Sequence, residues 1–229
     1  MNSSGNRFSY IPSFGRRGGR VIRKSRRCAL EEVLPGISVQ SSEFRVQEFK
    51  KENNYQEIWL EIGFGSGEHL AARAEVNPDI GFIGCEVYQH GVATLARQVQ
   101  EKNLKNVRVF TEDARLLLET LPENSIDHIF ILFPDPWPKK KHHKRRIINQ
   151  AMLTELVRIL RKGGALNLAT DHMGYACWML VHLNEHSGFE FTAENATDWQ
   201  NPPEGHILTR YQQKQKAGTA PVFLNLNKM

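Results

Sequence analysis

The chain has 229 residues, 40% of them hydrophobic, with a formal net charge of +5 and three cysteines. That length supports one substantial core, and neither a run of 18 apolar residues for a membrane span nor an initial apolar stretch for a secretion signal occurs, so a cytoplasmic protein is expected. Cys28, Cys85 and Cys177 are widely spaced and form no C-x-x-C pair, which argues against a disulfide framework and a structural zinc site.

Residues 1–28 read as a basic, flexible arm and residues 29–229 as a single domain. Eight Lys or Arg fall within positions 1–27, Arg16, Arg17 and Arg20 among them, and no acid does. A second block, Lys139 to Arg146, holds six more cations, again without an acid, so all 25 acidic residues belong to the remaining body. A single charged run is most often a solvated loop. Two such runs on an acidic body suit a polyanion, because clustered cations release condensed counterions on binding.

Along the domain, Ala29 to Leu34 reads as a short helix closed by Pro35-Gly36. Ile58 to Ile62, Ile80 to Cys85, Val107 to Phe110, Ile126 to Phe133 and Ala165 to Ala169 are apolar, β-branched runs that read as buried strands. Helical spacing recurs between them, in Val92, Leu95, Ala96 and Val99 and again in Ile148, Met152, Leu156 and Leu160, with Arg161-Lys162-Gly163-Gly164 as the expected C-terminus of the second helix. Phe189 to Ala193 and Val222 to Leu226 read as a terminal strand pair around a polar loop containing Trp199, Pro202, Pro203 and Gly205. The alternation implies an α/β fold: a doubly wound, mostly parallel, seven-stranded sheet with a terminal antiparallel pair.

Gly63, Gly65 and Gly67 follow the first strand, where the chain turns tightly and a ligand can approach the backbone. The spacing is G-x-G-x-G rather than the dinucleotide G-x-G-x-x-G, and Glu68 at the next position would repel a pyrophosphate. S-adenosylmethionine, which carries a sulfonium, an ammonium and a ribose diol but no phosphate, suits acids at this turn. Glu61 can receive the ammonium, and Glu86, about 20 residues past the turn, can accept both ribose hydroxyls. Asp113 can accept from the adenine amino group, with Ala114 offering backbone contact. Each acid alone is an ordinary strand-end residue; three at successive strand ends point to one crevice.

The fourth strand runs into LFPDPWPKKKHHKRR. Asp135 follows the strand's C-terminal end, where open parallel sheets place their chemistry, between the stiffening Pro134, Pro136 and Pro138. Trp137 offers a flat surface for a base, and Lys140, Lys141, Lys144, Arg145 and Arg146 can hold RNA phosphates. Adjacent His142 and His143 bring no further ligand set, so no metal is expected.

These segments resemble the bacterial tRNA (guanine-N(7)-)-methyltransferase family over nearly the whole chain. PSFGRRGGRVIRKSRRCALEEVLP is similar to its basic N-terminal signature, LEIGFGSGEHL, LFPDPWPKKKHHKRR and ATDHMGYACW to its internal motifs, and LTRYQQK to its C-terminal one. The resemblance implies S-adenosylmethionine as methyl donor and tRNA as partner, with guanine 46 of the variable loop as target; a monomer or homodimer working without a metal is expected. It implies cofactor or reaction-centre contacts from Glu61, Glu86, Asp113 and Asp135, and substrate contacts from Lys139, Asp171 and Thr209, Arg210, Tyr211 and Gln212. The family usually has Glu where this chain has Gln212, so a hydrogen-bonding group is retained there without its charge. A noncatalytic RNA-binding protein on the same fold, a methyltransferase with another RNA target and a dehydrogenase are the rival readings, the last opposed by Glu68.

Overall fold

The computed structural model describes residues 21–202, residue 207 and residues 220–229. Arg16, Arg17, Arg20, Pro203, Gly205, Thr209, Arg210, Tyr211 and Gln212 lie outside the described residues. Helix α1 spans Lys24–Glu32, so it starts within the basic segment, five residues before Ala29, and its buried residue is Ala29 itself. Pro35 and Gly36 do not close it. They sit in one further turn, α2 (Leu34–Ile37), with proline at the start, where its missing N–H costs nothing. Helix α3 (Val46–Glu52) precedes the first strand.

The remainder alternates: β1 (Glu57–Ile62), α4 (Glu68–Val76), β2 (Ile80–Cys85), α5 (Gln89–Glu101), β3 (Val107–Phe110), α6 (Ala114–Thr120), β4 (Ile126–Leu132), a 3-10 helix (Lys140–Arg145), α7 (Gln150–Ile159), β5 (Leu160–Thr170), α8 (Met173–Asn184), β6 (Phe189–Phe191), a second 3-10 helix (Ala196–Trp199) and β7 (Val222–Lys228). One seven-stranded sheet has the order β3-β2-β1-β4-β5-β7-β6. Pairing is parallel from β3 to β5, while β7 lies antiparallel between β5 and β6.

The helix expected to run through Leu160 into Arg161-Lys162-Gly163-Gly164 stops at Ile159, and those residues open β5 instead. Leu160 is fully buried, so it satisfies the helical pattern without belonging to the helix. Gly163 takes φ +69° where the β4–β5 register shifts, a bulge that glycine accommodates without strain. Arg161 does not cap a helix; its Nε donates to Asp127 Oδ1 at 2.7 Å, at the start of β4.

Side-chain alternation divides the sheet's faces. Ile58, Leu60, Ile129 and Ile131 join a core with residues of α6, α7 and α8, whereas Trp59 and Phe130 join one with residues of α4 and α5. His128 belongs to the second face. Its Nε2 meets Asn167 Oδ1, and the Asn167 amide donates to Asn225 Oδ1, so a polar ladder crosses β4, β5 and β7. Burial pushes the His128 imidazole down to about 4, with Arg73 adding repulsion and the Asn167 bond opposing.

A histidine depressed in the fold contributes stability above its unfolded value and loses it as pH falls through the folded one. Urea unfolding should therefore show stability declining as pH drops from 6.5 towards about 4, with a shallower decline in His128→Asn. An equally steep decline in that variant would assign the effect to another group.

Candidate active site

The strand order reverses between β1 and β4, whose first strand leads on to β2 and whose second leads on to β5. Their C-terminal ends therefore lie side by side, and the crevice beyond a switch point is where open α/β sheets bind ligands. Gly63, Gly65 and Gly67 leave β1 with φ of +77°, +58° and +75°. They differ in what surrounds them. A Cβ at Gly63 or Gly65 would meet nothing within 4 Å, so this backbone is open to a ligand, whereas one at Gly67 would lie 2.8 Å from Leu95 of α5. Gly67 thus serves the packing of α4 on α5 rather than the crevice.

Gly91, in the first turn of α5, belongs to none of the sequence motifs. A Cβ there would lie 2.0 Å from the Gly65 carbonyl oxygen, so only glycine lets α5 brace the turn. Its one signal in the sequence is a glycine within a helix, where alanine is favoured by about 1 kcal/mol.

Glu86 follows β2. Its Oε2 accepts from Gly65 N and its Oε1 from Tyr88 N, each at 2.9 Å, which fixes the carboxylate beside the glycine turn. A carboxylate has about four acceptor positions, so roughly two remain for a diol. Burial raises the Glu86 carboxyl above its ordinary value, the amides of Tyr88, Gly65 and Val87 oppose the rise, and repulsion from Asp135 adds to it. Asp135, 49 positions further along the chain, therefore lies close enough for its charge to bear on Glu86. The Cys85 thiol is also pushed up, by burial first and then by the charges of Glu86 and Asp113, so the third acid converges on the same strand end.

Glu61 and Asp113 carry partners that the sequence pattern does not reveal. Glu61 is 6% exposed, and its Oε2 lies 2.8 Å from Nδ1 of His69, itself 3% exposed. Helix α4 thereby holds the Glu61 carboxylate from behind. Asp113 is the N-cap of α6, accepting from Arg115 N at 3.1 Å and Arg115 Nε at 2.9 Å, so part of its acceptor capacity serves the helix that begins at Ala114.

Asp135 is exposed at the crevice rim, yet the surrounding walls desolvate its carboxyl and raise it above the ordinary value. Its turn is unusual. Phe133 has φ +53° and Trp137 φ +41°, positions costly for bulky side chains, of order 1–3 kcal/mol each. The Phe133 N–H donates to the Ala169 carbonyl at 2.8 Å, tying the turn to the end of β5. Asp171 lies one residue past that strand, half-buried, just ahead of α8.

Lys139, Lys140, Lys141 and Lys144 are exposed, the last three on the 3-10 helix rather than an irregular loop. The Arg145 guanidinium sits 4.9 Å from the centre of the Trp137 ring, which takes up one face of the expected stacking surface. Arg146 corrects the sequence expectation. It is 4% exposed, and its Nε donates to the Pro136 carbonyl at 2.9 Å, so it braces the Asp135 turn from inside rather than facing a phosphate.

The chemistry of this crevice fits S-adenosylmethionine: bare glycine backbone, an anchored acid for a diol, and further acids for cationic and amino groups. Glu68 in the first turn of α4 opposes a pyrophosphate there.

Residues 55–224 match the family model Methyltransf_4, described as "Putative methyltransferase". Among curated relatives, the tRNA (guanine-N(7)-)-methyltransferase of Paramagnetospirillum magneticum is 46% identical over 92% of this chain and 90% of its own length. The proteins of the same name from Rhodospirillum rubrum and a Caulobacter species are 39% and 42% identical, covering 92% and 94% of this chain and 85% and 94% of theirs. Among solved structures, the 16S rRNA methyltransferase KamB superposes with a TM-score of 0.58 at 15% identity, over 81% of this chain and 94% of that one, a likeness of fold.

Gly91→Ala should displace the Gly65 carbonyl, weaken S-adenosylmethionine binding by roughly tenfold or more in calorimetry, about the effect of one misplaced hydrogen-bonding group, and lower the urea midpoint as well, because the clash is with backbone that no rotamer change relieves. Unchanged affinity would show that the turn does not need this brace.

Proposed function

Since the chain belongs to the tRNA (guanine-N(7)-)-methyltransferase family, we propose that it transfers the methyl group of S-adenosylmethionine to nitrogen 7 of a guanine in tRNA, at nucleotide 46 of the variable loop. The observation that carries this reading is the Glu86 carboxylate held by Gly65 N at 2.9 Å beside open glycine backbone at the switch point, the end of the sheet from which the Asp135 turn also emerges.

In this reading Glu86 accepts from the ribose hydroxyls, the Gly63 and Gly65 backbone lies against the ligand, and Glu61, held by His69, faces the ammonium. Asp113 and Ala114 border the adenine. When bound, S-adenosylmethionine supplies an electrophilic methyl group on a sulfonium. Guanine nitrogen 7 has a free lone pair, so no base need remove a proton, and positioning supplies most of the acceleration. Asp135 accepts from the guanine ring and amino N–H groups and stabilises the positive charge that develops on the ring. Asp171 is the second acceptor. Adenine lacks these donors and would leave the acids unpaired, a defect that can discriminate by around ten-thousand-fold. Lys139 and Thr209 through Gln212 contact the substrate by family resemblance, while Lys140, Lys141 and Lys144 hold phosphates.

Digesting tRNA after incubation with protein and S-adenosylmethionine, then locating 7-methylguanosine by mass spectrometry, tests the proposal directly. A product at another nucleotide would move the target, and tRNA binding without product would favour the noncatalytic reading.

Asp135→Asn should lower turnover by roughly a hundredfold or more while cofactor binding persists. Because the folded state holds the Asp135 proton more tightly than the unfolded chain, its contribution to stability is lost as pH rises through the folded value. The same variant should therefore be at least as stable as the parent at neutral pH. Near-parental turnover would remove Asp135 from the mechanism.

Neutralising Lys140, Lys141 and Lys144 together should weaken tRNA binding and flatten its dependence on salt, by roughly one unit of log–log slope for each phosphate left without its cation. A slope equal to the parent's would mean that these cations face no phosphate.

A further inference from the structure

We propose that Arg146 is a positioning residue for methyl transfer, locking the turn that carries Asp135 onto the helix that follows Asp171 and so fixing the separation of the two acids. The inference rests on the functional reading above and adds a residue to it.

Arg146 touches both structures. On one side its Nε donates to the carbonyl of Pro136, the residue after Asp135, at 2.9 Å. On the other its guanidinium lies 5.0 Å from the Tyr175 ring centre and 4.8 Å from that of Trp178, both on α8. The neighbouring backbone is stitched to the same two side chains: Trp178 Nε1 donates to the Ile148 carbonyl at 2.7 Å, and Ile148 N donates to the Tyr175 hydroxyl at 3.4 Å. Arg146 N also donates to the His143 carbonyl at 3.0 Å, closing the basic 3-10 helix. One buried cation therefore joins the Asp135 turn, the exposed lysines and α8.

The turn needs such a brace. Positive φ at Phe133 and Trp137 puts bulky residues on either side of Asp135 in the costly left-handed region, and strained positions persist only where their surroundings over-determine them. Arginine suits the position and lysine does not. A planar guanidinium presents its faces to two rings while its edge donates to a carbonyl, whereas an ammonium is compact and strongly hydrated. Arg146 stays at 4% exposure where Lys144 is exposed and Arg145 is half-buried against Trp137, so the run of cations turns from outward lysines to an inward Arg146.

The test compares the parent with Arg146→Lys for kcat, KM for tRNA and for S-adenosylmethionine, and the salt dependence of tRNA binding. Positioning predicts kcat lower by roughly tenfold or more, both KM values within about threefold of the parent, and a parental salt slope. Should Arg146→Lys fail to fold, Trp178→Leu, which removes one ring from the cation and keeps Arg146, should give the same pattern in weaker form. Parental kcat in the folded variant overturns the inference. So does a flatter salt slope with kcat retained, which would make Arg146 a phosphate ligand. A parent protein that forms no 7-methylguanosine overturns the functional reading and this inference with it, whereas an active parent matched by its variant overturns the inference alone.

Discussion

The parallel pairing of β1 with β4, which sets Trp59, Leu60 and Glu61 against His128, Ile129 and Phe130, is the constraint on which the site depends. Chain connections leave these neighbours in opposite directions across the sheet, so no helix can cover the gap where they end. The glycine turn and the Asp135 turn are the two structures that emerge there. Residues more than 70 positions apart thus reach one crevice without any direct contact between them being required by sequence.

Holding those two turns in place calls for different physics. The glycine turn is fixed by close approach: Gly91 lets α5 touch the Gly65 carbonyl, Gly67 lets α4 pack on Leu95, and Glu86 receives the Gly65 amide. The Asp135 turn has three prolines and strained neighbours, and it is tied by Phe133 to β5 and by Arg146 to α8. Rigidity of this kind suits a reaction whose acceleration comes from orientation rather than proton transfer.

The same arrangement costs stability locally. Glu86 and Asp135 are both raised above ordinary carboxylate values, because desolvation disfavours their charge and Asp135 repels Glu86. Perturbed acids in a cleft are a hallmark of functional sites. Within the sheet, His128 is kept neutral beside Asn167 in a ladder that continues to Asn225, a structural use of burial that involves none of the proposed site acids.

Local pattern in the sequence was enough for the strand and helix alternation, the mostly parallel sheet with its terminal antiparallel pairing, the glycine turn and the set of acids at strand ends, because hydrophobic periodicity and turn chemistry act over a few residues. It was not enough for boundaries where burial overrides local preference, as at Leu160, or for the start of α1 at Lys24, five residues ahead of Ala29. Nor could it separate Arg146 from Arg145 and Lys144, or reveal that His69 backs Glu61, that Arg115 engages Asp113 and that Gly91 braces Gly65. Those pairings join segments up to 26 positions apart or turn on which way a side chain faces, and only the packed sheet and helices decide which chemically equivalent neighbour points inward.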